Sequence, residues 1–305
     1  MHEIKFYIVD VFAANRYEGN QLAVFLDMDN QLSDQLMQQI AKEINFAETT
    51  FIKAIKTDLR FVVRIFTPEH EVPFAGHPSL GTSYIINKFI LPEASRALTL
   101  ELAHSDIAIT LENPANLDDS IFFMRQAQPT FGSFFTADEI ANELGIPRHD
   151  IDDSLPIQEV STGLPYIIIP LRSRAAIDAL SLRLESFKAF LTARNKYRTN
   201  SSTGHSTSLF FFTSETYEAD NDYTTRMLLI ENNKVSEDAA TGSANGCFLA
   251  YLLTHIDGKI TATVEQGFQM NRKSYLYLNG RLANERYEIN VGGRNKLISE
   301  GIWYA

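Results

Sequence analysis

The 305 residues are 45% hydrophobic and 21% charged, an ordinary composition for one large or two medium domains with full cores. A net charge of −11, with no cluster of Lys and Arg to interrupt it, argues against a nucleic-acid partner. One cysteine, Cys247, forbids an internal disulfide and fits a reducing cytoplasm.

The opening MHEIKFYIVDVF lacks a positive segment followed by a long apolar core, so no signal peptide is expected. Glu3–Val9 reads as a strand, paired with Gln21–Leu26 across a turn containing Gly19 and Asn20. Ser33 caps a helix in which Leu36, Ile40 and Ile44 recur at four-residue spacing. Strands follow at Thr49–Ile55 and Leu59–Phe66, and two half-buried antiparallel strands at Ala97–Ala103 and Asp106–Glu112. Asn113–Asp119 is the linker by composition, and Ser120–Arg125 restarts the strands. Thr136 and Glu139 form a capping box for a helix that ends at Gly145. Pro165–Leu171 is an apolar strand, Ser186–Arg194 an amphipathic helix, and Thr199–Ser208 the most loop-like stretch. Strands at Leu209–Thr213, Tyr223–Ile230, Ile260–Gln266, Ser274–Leu278, Glu288–Val291 and Ile298–Tyr304 complete the chain.

Two stretches echo each other: Glu71–Ile86, EVPFAGHPSLGTSYII, and Glu237–Leu253, EDAATGSANGCFLAYLL. At an offset of 237 − 71 = 166, Glu71 meets Glu237, Gly76 meets Gly242 and His77 meets Ser243. Each has an acidic residue opening a short irregular segment, then Gly, then an apolar run without charge. The runs are far too short to span a bilayer, so no membrane is implied. With no polar face, each reads as a helix buried on all sides. Gly76-His77 and Gly242-Ser243 then lie at helix N-termini, whose free N–H groups favour carboxylates. Many strands around two buried helices give an α+β plan, a sheet wrapped about a helix twice over.

NFAETTFI (Asn45–Ile52), FTPEHEVPFAGHPSLGTSYII (Phe66–Ile86), EDAATGSANG (Glu237–Gly246), EQGFQMNR (Glu265–Arg272) and the opening VDVFAANRYEGNQLAVF closely resemble the PhzF-like family, named for phenazine biosynthesis. The motifs run in order from residue 9 to residue 272. The resemblance implies the diaminopimelate-epimerase-like fold: two pseudo-symmetric domains, each a β-barrel around a central helix, with the active cleft between them. It places the first barrel at 1–116, with 296–305 returning to it, and the second at 117–295. A homodimer is implied by resemblance alone.

The resemblance also implies roles. Glu48 matches the family's catalytic acid/base, His77 and Asp238 its other polar residues at the substrate, and Gly76, Gly242 and Ser243 its anchoring loops. Without it, Glu48 reads as a solvated strand-edge carboxylate, His77 as a helix-start histidine bonded to backbone, and Asp238 as an Asx-turn residue. The chemistry is compatible, since a desolvated carboxylate takes a proton from carbon, and Phe46 and Phe51 offer Glu48 an apolar setting. Opposed helix N-termini would stabilise developing charge, and no cofactor is required. Two departures count. Ala47 stands where many members carry Ser, and Cys247 has no second thiol, so a two-thiol racemase is excluded.

The histidines include no zinc spacing, so no metal is expected. The glycine-rich stretches match neither dinucleotide, P-loop nor nucleophile-elbow patterns. The reading is a cytoplasmic, cofactor-independent isomerase acting on a small carboxylate substrate through Glu48. Its alternatives are a non-catalytic small-molecule binding or regulatory protein, and an epimerase or racemase with Asp238 or His77 as second base.

Overall fold

Local chemistry starts and stops the helices of this chain, and the computed structural model describes them within residues 2–57, 59–73, 75–103, 105–199 and 206–305. Most of the loop-like stretch Thr199–Ser208 therefore lies outside the described residues. The chain divides into two compact units: residues 1–125, 272–275 and 291–305 form the first, and 126–271 with 276–290 the second.

The first unit begins with β1 (Glu3–Val11) and β2 (Asn20–Leu26), an antiparallel pair. Ser33 then accepts a hydrogen bond from Leu36 N and opens α1 (Asp34–Ile44), which closes at Asn45 in the left-handed region. The helix carries the chain over to β3 (Glu48–Thr57), parallel to β2. β4 (Arg60–Phe66) and β5 (Glu71–Val72) follow antiparallel, then α2 (Gly76–Ile85), which runs into a π-helical turn at Ile86–Ile90. β6 (Ala97–Glu101) returns parallel to β4, and β7 (Asp106–Leu111) and β8 (Phe122–Arg125) continue antiparallel. Asn113–Asp119 is the turn joining those last two strands.

One face of this sheet packs on α1, where Met37, Ile40 and Ala41 meet Ile4, Ala23, Phe25, Phe51 and Phe66. The other face wraps α2, whose ten residues are all buried against β1, β2, β3, β6, β7 and β8. Gly81 sets how closely the helix approaches: a Cβ there would stand 2.6 Å from Leu22 Cδ2 and 2.8 Å from Val11 Cγ2.

The second unit opens with β9 (Thr130–Phe135) and α3 (Ala137–Leu144), whose capping box joins Thr136 and Glu139 and whose stop is Gly145 at φ +74°. Then come β10 (Ile157–Ser161) and β11 (Pro165–Pro170), α4 (Arg174–Ala179) and α5 (Leu184–Ala193). β12 (Ser208–Thr213) runs parallel to β11; β13 (Tyr223–Glu231) and β14 (Lys234–Asp238) follow antiparallel. α6 (Gly242–His255) and β15 (Lys259–Gln266), parallel to β13, complete the repeat. β16 (Ser274–Ala283), β17 (Arg286–Gly293) and β18 (Asn295–Tyr304) end the chain, with β18 antiparallel to β1. Among the described residues no helix is long and apolar enough to cross a membrane.

The order β1 to β6 is repeated, pairing for pairing, by β10 to β15: antiparallel, parallel across helices, antiparallel twice, helix, then parallel. The α+β plan of a sheet wrapped about a buried helix, twice, is what the chain forms. One expectation changes. Glu71 and Glu237 do not open irregular segments; each sits in a short strand. Arg64 bridges Glu71 through Nε and Nη2 at 2.7 and 2.6 Å, and Arg226 bridges Glu237 through the same atoms at 3.0 and 2.7 Å. A bidentate guanidinium reaching diagonally across the ladder holds each carboxylate in strand geometry.

Candidate active site

Glu48 is the first residue of β3, beside Leu22 in the parallel ladder. Side chains alternate along a strand, so Glu48 and Thr50 share one face and Thr49 and Phe51 take the other. Thr50 Oγ1 lies 2.8 Å from Thr82 Oγ1, which identifies the Glu48 face as the one toward α2. The expected apolar flank is therefore corrected. Phe51 belongs to the opposite face and packs in the α1 core, with Phe46 against that same core. What Glu48 meets is polar: its Oε2 stands 3.4 Å from His77 Nε2, with the two side chains 20% and 6% exposed.

His77 owes that place to its position second in α2, directly after Gly76. Ala75 precedes the helix in extended conformation and its methyl gives no side-chain cap. The first-turn amides thus lack the usual internal acceptor. Burial pushes the His77 ring down to about 3, against a backbone hydrogen bond to Gln21 that raises it. Glu48 at 3.4 Å would favour the charged ring, yet a side chain stripped of water on nearly every side loses more than one neighbour returns. The imidazole is neutral at pH 7. Asn20 Nδ2 lies 3.4 Å from its Nδ1.

In the second unit Asp238 is the last residue of β14, opposite Met227. Thr241 Oγ1 donates to Asp238 Oδ2 at 2.8 Å, a side-chain bond across the turn that leaves the strand. Gln266, wholly buried, holds the rest of this turn. Its Nε2 donates to Asp238 O (2.9 Å) and Thr241 Oγ1 (3.0 Å), and its Oε1 accepts from Thr241 N (3.2 Å) and Asn245 Nδ2 (3.0 Å). Gly242 and Ser243 then open α6, again without a side-chain cap, and Ser243 Oγ lies 2.7 Å from Tyr166 OH.

Glu48, His77 and Gly76 thus meet in the first unit, and Asp238, Gly242 and Ser243 form one turn in the second. The repeat shows how the chemistry is divided. Strand register makes Ser208 the counterpart of Glu48 and Val72 that of Asp238, while the helix starts equate His77 with Ser243. Neither unit repeats the other's carboxylate. Cys247 lies buried within α6 at 3.3 Å from Thr162 N, and burial pushes its thiol up to about 11, which keeps it protonated and inert.

Sequence reasoning missed Asn20, Tyr166 and Gln266. Gln266 lies inside the EQGFQMNR stretch, so its motif was visible although its task was not. Asn20 and Tyr166 reach the site only through strand register.

The sequence profile of the family described as "Phenazine biosynthesis-like protein" matches residues 9–301. A relative in Pseudomonas aeruginosa, named trans-2,3-dihydro-3-hydroxyanthranilate isomerase, is 30% identical over 98% of this chain and 99% of its own. The crystal structure of a Bacillus anthracis phenazine biosynthesis protein of the PhzF family superposes with a TM-score of 0.87 at 26% identity, covering 100% of both chains. A hydroxyproline epimerase from Agrobacterium vitis, at TM-score 0.60 and 11% identity over 99% of this chain and 91% of that one, shares the fold. Matched along nearly its whole length, the chain belongs to the phenazine biosynthesis-like (PhzC-PhzF) family and is an isomerase of that family.

Proposed function

We propose that this protein is a cofactor-independent isomerase that moves a proton on a small carboxylate substrate, with Glu48 as the acid/base. The observation that carries the reading is the pairing of Glu48 with a neutral His77 at the uncapped start of a buried helix. In the ionised state Glu48 accepts a proton from a carbon that an adjacent π-system acidifies. The electron pair of the broken C–H bond moves into that system. The neutral carboxyl then returns the proton to another carbon of the same framework, and Glu48 ends as it began. His77 presents Nε2 to the site without adding charge. The helix start at Gly76, beside His77, orients the substrate carboxylate and the charge that develops beside it.

The relative's named substrate is an aminated ring acid bearing a carboxylate, which falls in the proposed class. The test is solvent exchange. In D₂O the wild-type protein with such a ring acid is expected to place deuterium on carbon, and Glu48→Gln to lose at least about 10²-fold of that rate. Equal labelling by both proteins would remove Glu48 from the chemistry. Inversion at a labelled stereocentre would instead favour an epimerase with Asp238 or His77 as second base, and Asp238→Asn and His77→Gln would tell which.

A further inference from the structure

The EQGFQMNR stretch ends on Arg272, a residue with no part in the chemistry above and no place at either helix start. Its guanidinium is nonetheless engaged in the first unit through Nε and Nη2. Nε donates to Gly19 O at 2.9 Å, and Nη2 to Glu18 O at 2.8 Å and to Asp10 Oδ1 at 2.7 Å. Asp10 lies on β1, only 2% exposed, and its Oδ2 accepts from Tyr17 N at 2.6 Å. Gly19 N donates to the carbonyl of the next residue after the arginine, Lys273, at 2.8 Å. Residues 17, 18 and 19 of the β1–β2 loop are thus tied, one after another, to Arg272, its ion-pair partner and its neighbour.

The loop needs tying. Phe12 and Tyr17 both hold positive φ (62° and 71°), and Gly19 at φ +68° packs so closely that a Cβ would stand 2.2 Å from Val11 O. Non-glycine residues in the left-handed region persist only where surrounding contacts over-determine them. The two residues that follow Gly19 both touch His77. Asn20 faces its Nδ1, and the Gln21 backbone hydrogen-bonds to the ring. Any slip of the loop is therefore delivered to the imidazole that stands 3.4 Å from Glu48.

We propose that Arg272 is a positioning residue: together with Asp10 it fixes the backbone of residues 17–19 and so sets the orientation of the His77 ring against Glu48. The catalytic consequence rests on the function proposed above; the structural one does not. A guanidinium suits this task because its planar fork meets two carbonyls and a carboxylate at once, which a lysine ammonium does not reproduce.

The test reads the ring directly. In ¹⁵N-histidine-labelled protein, long-range ¹H–¹⁵N spectra assign His77 by its loss in His77→Gln, and His255, bonded to Gln158 in the second unit, serves as internal control. In Arg272→Met the His77 ring resonances are expected to move or broaden while those of His255 hold. Arg272→Lys should give an intermediate result and Asp10→Asn a similar one. In the solvent-exchange assay Arg272→Met should lower kcat by about 10²-fold with KM changed by less than about 3-fold, the signature of misplaced groups rather than lost binding. Wild-type His77 resonances in a folded Arg272→Met protein overturn the proposal, as does failure of all three variants to fold, which would make the ion pair part of the scaffold alone. A wild-type protein with no exchange activity would remove the proposed function and leave the spectra to judge the positioning.

Discussion

Burying an imidazole beside a carboxylate makes stability depend on pH in a direction that can be worked out. Desolvation holds the folded His77 ring down at about 3, while in the unfolded chain it titrates near 6.5. Between those values the unfolded chain binds a proton that the native protein refuses, so stability rises with pH across the window and is flat above it. The difference of 6.5 − 3, or about 3.5, sets an upper bound of roughly 5 kcal/mol. His77→Gln abolishes the term. The Tm difference between wild type and variant is expected to move in the wild type's favour from about pH 4.5 to 6.5 and then to level off. Parallel Tm curves across that range would mean that the native ring titrates as it does in the unfolded chain, and the desolvation of His77 would fall. At this scale the sequence was informative about identity and blind to facing. NFAETTFI located Glu48, and alternation from the start of β3 puts Phe51 on the other side of the strand; which side meets α1 and which meets α2 is decided only by packing.

Among elements, the end of β15 and its short connection into β16 carry more of the structure than their length suggests. Glu265 is wholly buried, and its two oxygens accept from Tyr217 N, Glu218 N, Asn221 Nδ2 and Thr224 Oγ1 at 2.6–2.8 Å. Gln266 beside it satisfies four groups of the Asp238–Asn245 turn, and Phe268 stacks on Tyr217 with ring centroids 4.4 Å apart. Gln266→Leu leaves a backbone N–H and a carbonyl of that turn without their partner. Each abandoned buried group costs about 1–3 kcal/mol, so the variant should lose roughly 2–4 kcal/mol in urea unfolding. Gln266→Glu keeps the acceptor and should lose less. A Leu variant as stable as wild type would show that the turn is held by β14 and α6 alone. Helix ends were legible beforehand because capping is local: Ser33, the Thr136–Glu139 box and Gly145 each act within four residues of themselves. The work of Gln266 was not legible, because its partners lie 21 to 28 positions away in the chain and only the fold brings them near.

The molecule as a whole is a duplication whose two copies have drifted in the lengths of their turns. Phe51 and Phe211 occupy equivalent places opposite Arg64 and Arg226, and the two arginines bridge Glu71 and Glu237 in the same diagonal sense. The offsets are 211 − 51 = 160, 226 − 64 = 162 and 237 − 71 = 166, which differ because the intervening turns differ by two and then four residues. A fixed spacing could therefore reveal only the last stretch, from Glu71 into the buried helix. Inside the equivalent frames the packing has diverged. The Thr50–Thr82 hydrogen bond of the first unit becomes contact between Phe210 and Phe248 in the second, with ring centroids 5.3 Å apart. The two ion pairs have diverged as well. Arg64 and Glu71 are 25% and 33% exposed, and Arg64 Nη1 also holds Asp34 at 2.5 Å. Arg226 and Glu237 are 10% and 13% exposed, and Arg226 Nη1 is committed to the carbonyls of Ile177 and Leu180 at 2.9 and 3.0 Å. Removing one charge from the buried pair strands the other, at about 3–5 kcal/mol, whereas a partly exposed pair with a spare partner is worth about 1 kcal/mol. Glu237→Gln should therefore destabilise the protein by at least about 2 kcal/mol more than Glu71→Gln in urea unfolding at low salt. Raising the salt should shrink only the smaller effect, since screening acts on the exposed pair. Equal losses would mean that the two ion pairs share their energetics as well as their geometry, and that the difference in burial carries no weight.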